Sequence, residues 1–215
     1  MWGGGDICIC NYMLKHPDGR VEYPYEETGK TRHCTSIEML VELLTKKVCS
    51  SACVMLCRKS LFSSVRFPVG RYFEDHAVTY LLVNAAKNGC VHIGKSYYHY
   101  WQRPASICHT LDFKKIYDYL SANFERIKFI YNYPEFTPDD RKKLLRFNVK
   151  LYIGNMIIAI NLASCAEDWE RLRDMKNAVY SVVSRNDVSG KEWSRLLRMR
   201  WFWRIFVKTH MQKKQ

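Results

Sequence analysis

The chain has 215 residues, of which 47% are hydrophobic and 26% charged, enough for one ordinary domain and an appendage and too apolar for a disordered or low-complexity protein. The balance of 34 Lys and Arg against 21 Asp and Glu gives a net charge of +13, which excludes a surface built for cationic partners and leaves anionic ones open. Nine cysteines, an odd number behind no signal-like segment, read as free thiols of a reducing, cytoplasmic compartment and exclude a paired disulfide framework.

In chain order, Asp6–Tyr12 opens with an apolar strand, and Lys15–Arg32 is polar and broken by Pro17-Asp18-Gly19, Pro24 and Gly29, the composition of a hairpin or loop. Thr35-Ser36-Ile37-Glu38 is a capping-box sequence, and Ile37, Leu40, Val41 and Leu44 behind it share one helical face. Cys49, Cys53 and Cys57 recur every four residues, but no second ligand pair or nearby His completes a zinc pattern, so they are expected to be small packed side chains. Ala52–Cys57 leans towards a strand.

Phe67-Pro68-Val69-Gly70-Arg71-Tyr72-Phe73-Glu74-Asp75 sets two adjacent carboxylates just after a Pro/Gly turn. The run from Asp75 to Ala86 has Val78, Leu81, Leu82 and Ala85 at helical spacing, with Gly89 at its close. Glu74 and Asp75 thus fall in the first turn, where free N–H groups and the positive dipole end favour the ionised form; capping alone would account for them. Cys90–Gly94 and Ser96–Gln102 read as two strands, the second rich in Tyr and Trp and followed by Arg103-Pro104-Ala105-Ser106-Ile107.

Taken together, "RKSLF", "FPVGRYFED" and "YYHYWQRPASI" resemble the acceptor-side half of a family 2 glycosyltransferase domain of the GT-A fold, over roughly residues 6–110. The resemblance implies a partial, Rossmann-like α/β fold that transfers a sugar, with inversion, from a nucleotide sugar to an acceptor hydroxyl, as in polysaccharide or glycan synthesis. Asp75 would be the general base that takes the acceptor's proton, Glu74 a neighbour that positions the sugar, and Arg103, His99 and Ser106 substrate contacts near the diphosphate. Where the family often has another Arg two positions before Arg103, this chain has Trp101. An intact enzyme of this kind holds magnesium or manganese on an Asp-x-Asp motif, and the chain contains none. The donor-binding half is therefore expected to be missing, with no metal bound by this chain alone.

From about residue 111 the periods become long and helical. Phe113, Ile116, Tyr117, Leu120, Phe124, Ile127 and Tyr131 line one face, ending before Pro134. Thr137-Pro138 starts a second helix, so the pair Asp139-Asp140 is explained by capping and not by metal. Its apolar stretch Val149–Ala163, interrupted by Asn155 and Asn161, is too short to span a bilayer and reads as the centre of a bundle. A third helix is expected over Ala166–Ser184 and a last one from about Lys191.

Residues 1–110 carry 13 Lys and Arg against 9 Asp and Glu, and residues 111–215 carry 21 against 12, so the helical half holds most of the net charge. Arg200, Arg204 and Lys208 form a stripe one helical turn apart beside Trp201 and Trp203, a pattern suited to an anionic membrane surface at the periphery of the inner leaflet. Net charge with 14 Tyr and 6 Trp would also suit nucleic acid, but no recognition motif accompanies it. A catalytically inactive interaction module is the other alternative.

Overall fold

The computed structural model describes residues 4–103 and 110–212, with side chains of the last helix described to Trp201 and at Trp203. It divides into two compact units, residues 1–110 and 111–215.

The first unit is mixed α/β. Its five-stranded sheet runs β2 (Val21–Glu22), β1 (Ile7–Lys15), β5 (Cys90–Trp101), β3 (Thr31–Cys34), with β4 (Met55–Cys57) also on β1. The central pair, β1 and β5, is parallel, and the pairings of β2, β4 and β3 are antiparallel. The segment predicted as two strands is the single β5. Gly94 stays inside it, and the register against β1 shifts between Cys10 and Tyr12, which absorbs the irregularity. Lys15–Arg32 does turn back as a hairpin at its start, and Glu27 then ties it down, accepting from the Ser96 N–H (2.8 Å), the Ser96 hydroxyl (2.7 Å) and Asn11 Nδ2 (3.1 Å).

Helix α1 (Ser36–Leu44) has the predicted capping box at Thr35 and Glu38. Its buried face is Met39, Leu40, Leu43 and Leu44, rotated from the predicted one so that Ile37 and Val41 lie at its margin. Helix α2 (Glu74–Ala85) is buried on most sides, including His76, Thr79 and Tyr80. Cys49, Cys53 and Cys57 do not form a helical row: a 3-10 turn at Ala52–Val54 and β4 separate them.

Asp6, 5% exposed, clamps the start of the sheet. Its carboxylate accepts from the Asn88 N–H (2.9 Å) and Nδ2 (3.0 Å) and pairs with Arg58 Nε (3.0 Å). The Asn88 hydrogen bonds, against burial and with help from Arg58, hold this carboxyl below its ordinary value. Glu27 is also held low: burial pushes it up, and the Ser96 and Asn11 hydrogen bonds outweigh that. Both groups have folded values below their unfolded ones, so their stabilisation is complete above the ordinary carboxylate range near about 4 and fades as pH falls through the folded values. Denaturant titrations between pH 7 and 3 are expected to show an acid limb that Asp6→Asn flattens; an unchanged limb would remove Asp6 from this role.

Gly89 links α2 to β5 with φ +71°, and a Cβ there would stand 2.5 Å from the backbone oxygen of Cys34, the residue paired with Cys90. Gly89→Ala is expected to cost about 2 kcal/mol, through the left-handed penalty and a forced backbone shift. At Gly94 a Cβ would stand 2.1 Å from the Thr28 hydroxyl, which a rotamer change can move away, so Gly94→Ala should cost less. Thermal melts of the two variants check the order.

The second unit is helical: α3 (Phe113–Asn132), α4 (Pro138–Leu162), α5 (Ala166–Val182) and α6 (Gly190–Gln212). Thr137 caps α4 through the Asp140 N–H, with Pro138 in the first turn, so Asp139 and Asp140 are capping residues. Along α3 the buried stripe includes Ile116, Leu120 and Ile127 as predicted, and adds Asn123 and Arg126, while Tyr131 is exposed. Among the described residues no helix is long and apolar enough to cross a membrane.

Candidate active site

The mouth of α2 is built on strained backbone. Gly70 turns the chain at φ +72°, and Phe73, the residue at the helix N-cap, adopts the left-handed conformation (φ 55°, ψ 37°), which bulky side chains seldom take. Such a conformation costs on the order of 1–3 kcal/mol and concentrates where side chains must be aimed. Glu74, exposed, and Asp75, half-buried, come directly after it.

Asp75 Oδ2 accepts from the Ser51 hydroxyl at 2.9 Å, and Oδ1 accepts from the His76 N–H at 2.6 Å. The Ser51 hydroxyl also accepts from the Cys53 thiol (3.4 Å), and the Ser51 N–H donates to Cys49 Sγ (3.4 Å). Tyr25 is hydrogen-bonded to Cys49; burial pushes the Tyr25 hydroxyl above its ordinary value and the Cys49 thiol up to about 11. Cys53 in turn contacts Tyr98 and raises it. Cys49 is thus kept as a neutral thiol, a polarisable wall and not a nucleophile.

Aromatic rings extend this cluster. Tyr12 on β1 meets Tyr25 edge-on (5.7 Å) and Tyr100 (6.3 Å), and Tyr98 lies 6.5 Å from Tyr100. Tyr12 and Tyr98 are register partners near the carboxyl ends of the parallel pair, so the Asp75–Ser51–Cys53–Tyr98 chain puts the carboxylate at that edge of the sheet. Open α/β sheets place ligands outside the carboxyl ends of their parallel strands. Tyrosine rings beside a carboxylate offer flat apolar faces and hydroxyl donors, the surfaces that hold a polyhydroxylated ring.

The sequence-predicted residues separate here. Glu74 and Asp75 sit together as expected. His99 is exposed and lies between Tyr98 and Tyr100 on β5, so strand alternation turns it to the opposite face from the tyrosine cluster; it is not a partner of Asp75. Arg103 is exposed two residues beyond β5, and Ser106 lies outside the described residues. Trp101, at the position where the family often has Arg, carries Lys15 Nζ over its ring at 5.3 Å. Sequence patterns do not tie Ser51, Tyr25, Cys49 or Tyr12 to Asp75. These residues come from segments far from Asp75 along the chain, and no local spacing ties them to it.

No family model and no curated protein matches the chain.

Among the described residues no three His, Cys, Asp or Glu side chains converge, and the Asp75 oxygens accept from Ser51 and the His76 N–H.

In the helical unit, Trp203 departs from its expected role at a membrane. It is 8% exposed and packs edge-on against Trp169 at 6.0 Å, with Lys176 Nζ 5.0 Å over its ring. The reason is that position 203 follows Leu196 and Met199, both buried, on the inward face of α6. Trp201 is 78% exposed, and Arg200 is exposed with its guanidinium 5.8 Å over Tyr180. The side chains of Arg204 and Lys208 lie outside the described residues.

Proposed function

We propose that residues 6–110 are the acceptor-side half of an inverting, family 2-like glycosyltransferase domain of the GT-A type, with Asp75 as the general base. The observation that supports this reading is the half-buried Asp75 carboxylate, held by Ser51 and the His76 N–H at its own helix N-terminus and linked through Ser51 and Cys53 to Tyr98 on the parallel strand pair. An acceptor hydroxyl that hydrogen-bonds to this carboxylate would pass its proton there as it attacks the anomeric carbon, and the nucleoside diphosphate would leave from the opposite side. Tyr98, Tyr100 and Tyr12 would stack on or bond to the acceptor sugar. Arg103 is the cation placed just beyond β5 to meet leaving-group charge.

In this reading the donor nucleotide and any magnesium or manganese would be held by a donor-binding half. The test is sugar transfer from a panel of nucleotide sugars to glycan acceptors by this chain joined to a donor-binding half, with the chain alone as the control. Transfer by the joined form and none by the chain alone is expected. Release of nucleoside diphosphate by the chain alone, or inactivity of every joined form, overturns the reading.

A further inference from the structure

A groove of about 550 Å³ runs along the helical unit between α4 and α6, within the size range of small-molecule sites. Its polarity follows from how the helices run. The Tyr152 hydroxyl of α4 donates to the Met175 carbonyl of α5 (3.0 Å), and three residues join the two helices, so they are antiparallel. Tyr180 of α5 donates to the Leu196 carbonyl of α6, and Trp169 packs on Trp203, so α5 and α6 are antiparallel too. Helices α4 and α6 therefore run in the same direction, with Tyr152 at the level between Leu196 and Trp203. Lys150, Arg195 and Arg198 gather at one end of the groove, and Ile157 and Ile160 extend away from them.

Among the described residues no Asp or Glu lines the groove. None of the three cations has a carboxylate partner among the described residues; Arg198 donates only weakly to the Ser194 carbonyl of its own helix, at 3.4 Å. Ile157 is 51% exposed, an unusual position for a branched apolar side chain beside three charges. At Gly154, in mid-helix on the groove wall, a Cβ would meet nothing within 4 Å, so this residue leaves space and not a turn. A cationic end, an apolar length and an emptied wall match an amphiphile with an anionic head.

We propose that the α4/α6 groove binds an anionic phospholipid, its phosphate held by Lys150, Arg195 and Arg198 and one acyl chain laid along Ile157 and Ile160. An acidic protein segment would be drawn to the same cations, but it would need polar partners along the groove where apolar side chains stand. The site belongs to the helical unit and does not depend on the transferase reading.

The test is co-sedimentation of the full chain with vesicles of phosphatidylcholine alone or mixed with phosphatidylglycerol. Binding to the mixed vesicles and not to phosphatidylcholine alone is expected. Reversing the three charges in Lys150→Glu/Arg195→Glu/Arg198→Glu should lower the binding constant roughly a hundredfold. Gly154→Phe keeps the charge and fills the groove, and should weaken binding about tenfold with an unchanged thermal melt. Should that variant melt early, Gly154→Leu supplies the same comparison with less bulk. Equal binding by a stably folded groove-filling variant would mean that the charges adsorb to the bilayer without the groove, which overturns the proposal. Displacement of the vesicles by polyglutamate, together with wild-type binding by the groove-filling variant, would assign the surface to an acidic protein instead.

Discussion

Asp75→Asn, in this chain joined to a donor-binding half, is expected to lower sugar transfer by about 10²–10⁴-fold while leaving nucleotide-sugar affinity nearly unchanged. An amide at this position can accept from the His76 N–H through its oxygen and donate through Nδ2 to the Ser51 hydroxyl, so the geometry is kept while the proton acceptor is lost. Glu74→Gln should cost less, because Glu74 is exposed in the same turn. Ser51→Ala should lower kcat with little change in donor KM, since Ser51 acts through the carboxylate and is a positioning residue. Initial rates and donor affinities for the three variants decide the matter: near wild-type turnover by the Asn variant ends the base assignment, and equal losses for Glu74 and Asp75 end the division of roles.

What the sequence makes legible about this site is local. A Pro/Gly turn, an aromatic pair and two carboxylates ahead of a helical period are contiguous, and α2 begins at Glu74 as that pattern demands. The left-handed Phe73 is not legible, because nothing in the side chain of Phe favours that conformation. Ser51 reaches Asp75 across 24 positions of sequence, and Tyr25 joins the cluster through Cys49 and Tyr12 through Tyr25 from still farther away, separations over which spacing has no reach. His99 shows the opposite failure: it lies in the right segment, but a strand alternates its faces and the neighbouring tyrosines own the one towards the site. The starts of α4, α5 and α6 are legible to within a residue or so, since the cap at Thr137 and the turn at Arg185–Asp187 are short-range chemistry. Which aromatics of α6 face inwards is not, because Trp201, Phe202 and Trp203 are consecutive and apolar all round, and composition cannot choose a face.

That choice has a large energetic consequence. Trp203→Ala is expected to destabilise the helical unit by about 3 kcal/mol or more, as truncation of a buried aromatic leaves a cavity against Trp169 and strips the ring from beneath Lys176. Burial already pushes Lys176 below its ordinary value, with Arg200 and Arg173 adding to the effect, so loss of the ring removes one of the favourable contacts of a cation in a costly place. Trp201→Ala, at a position 78% exposed, should leave stability within about 0.5 kcal/mol. Denaturant unfolding followed by far-UV circular dichroism separates the two. If Trp203→Ala melts like wild type and Trp201→Ala does not, α6 is rotated from the arrangement described, and the cationic end of the α4/α6 groove would have to be redrawn with it.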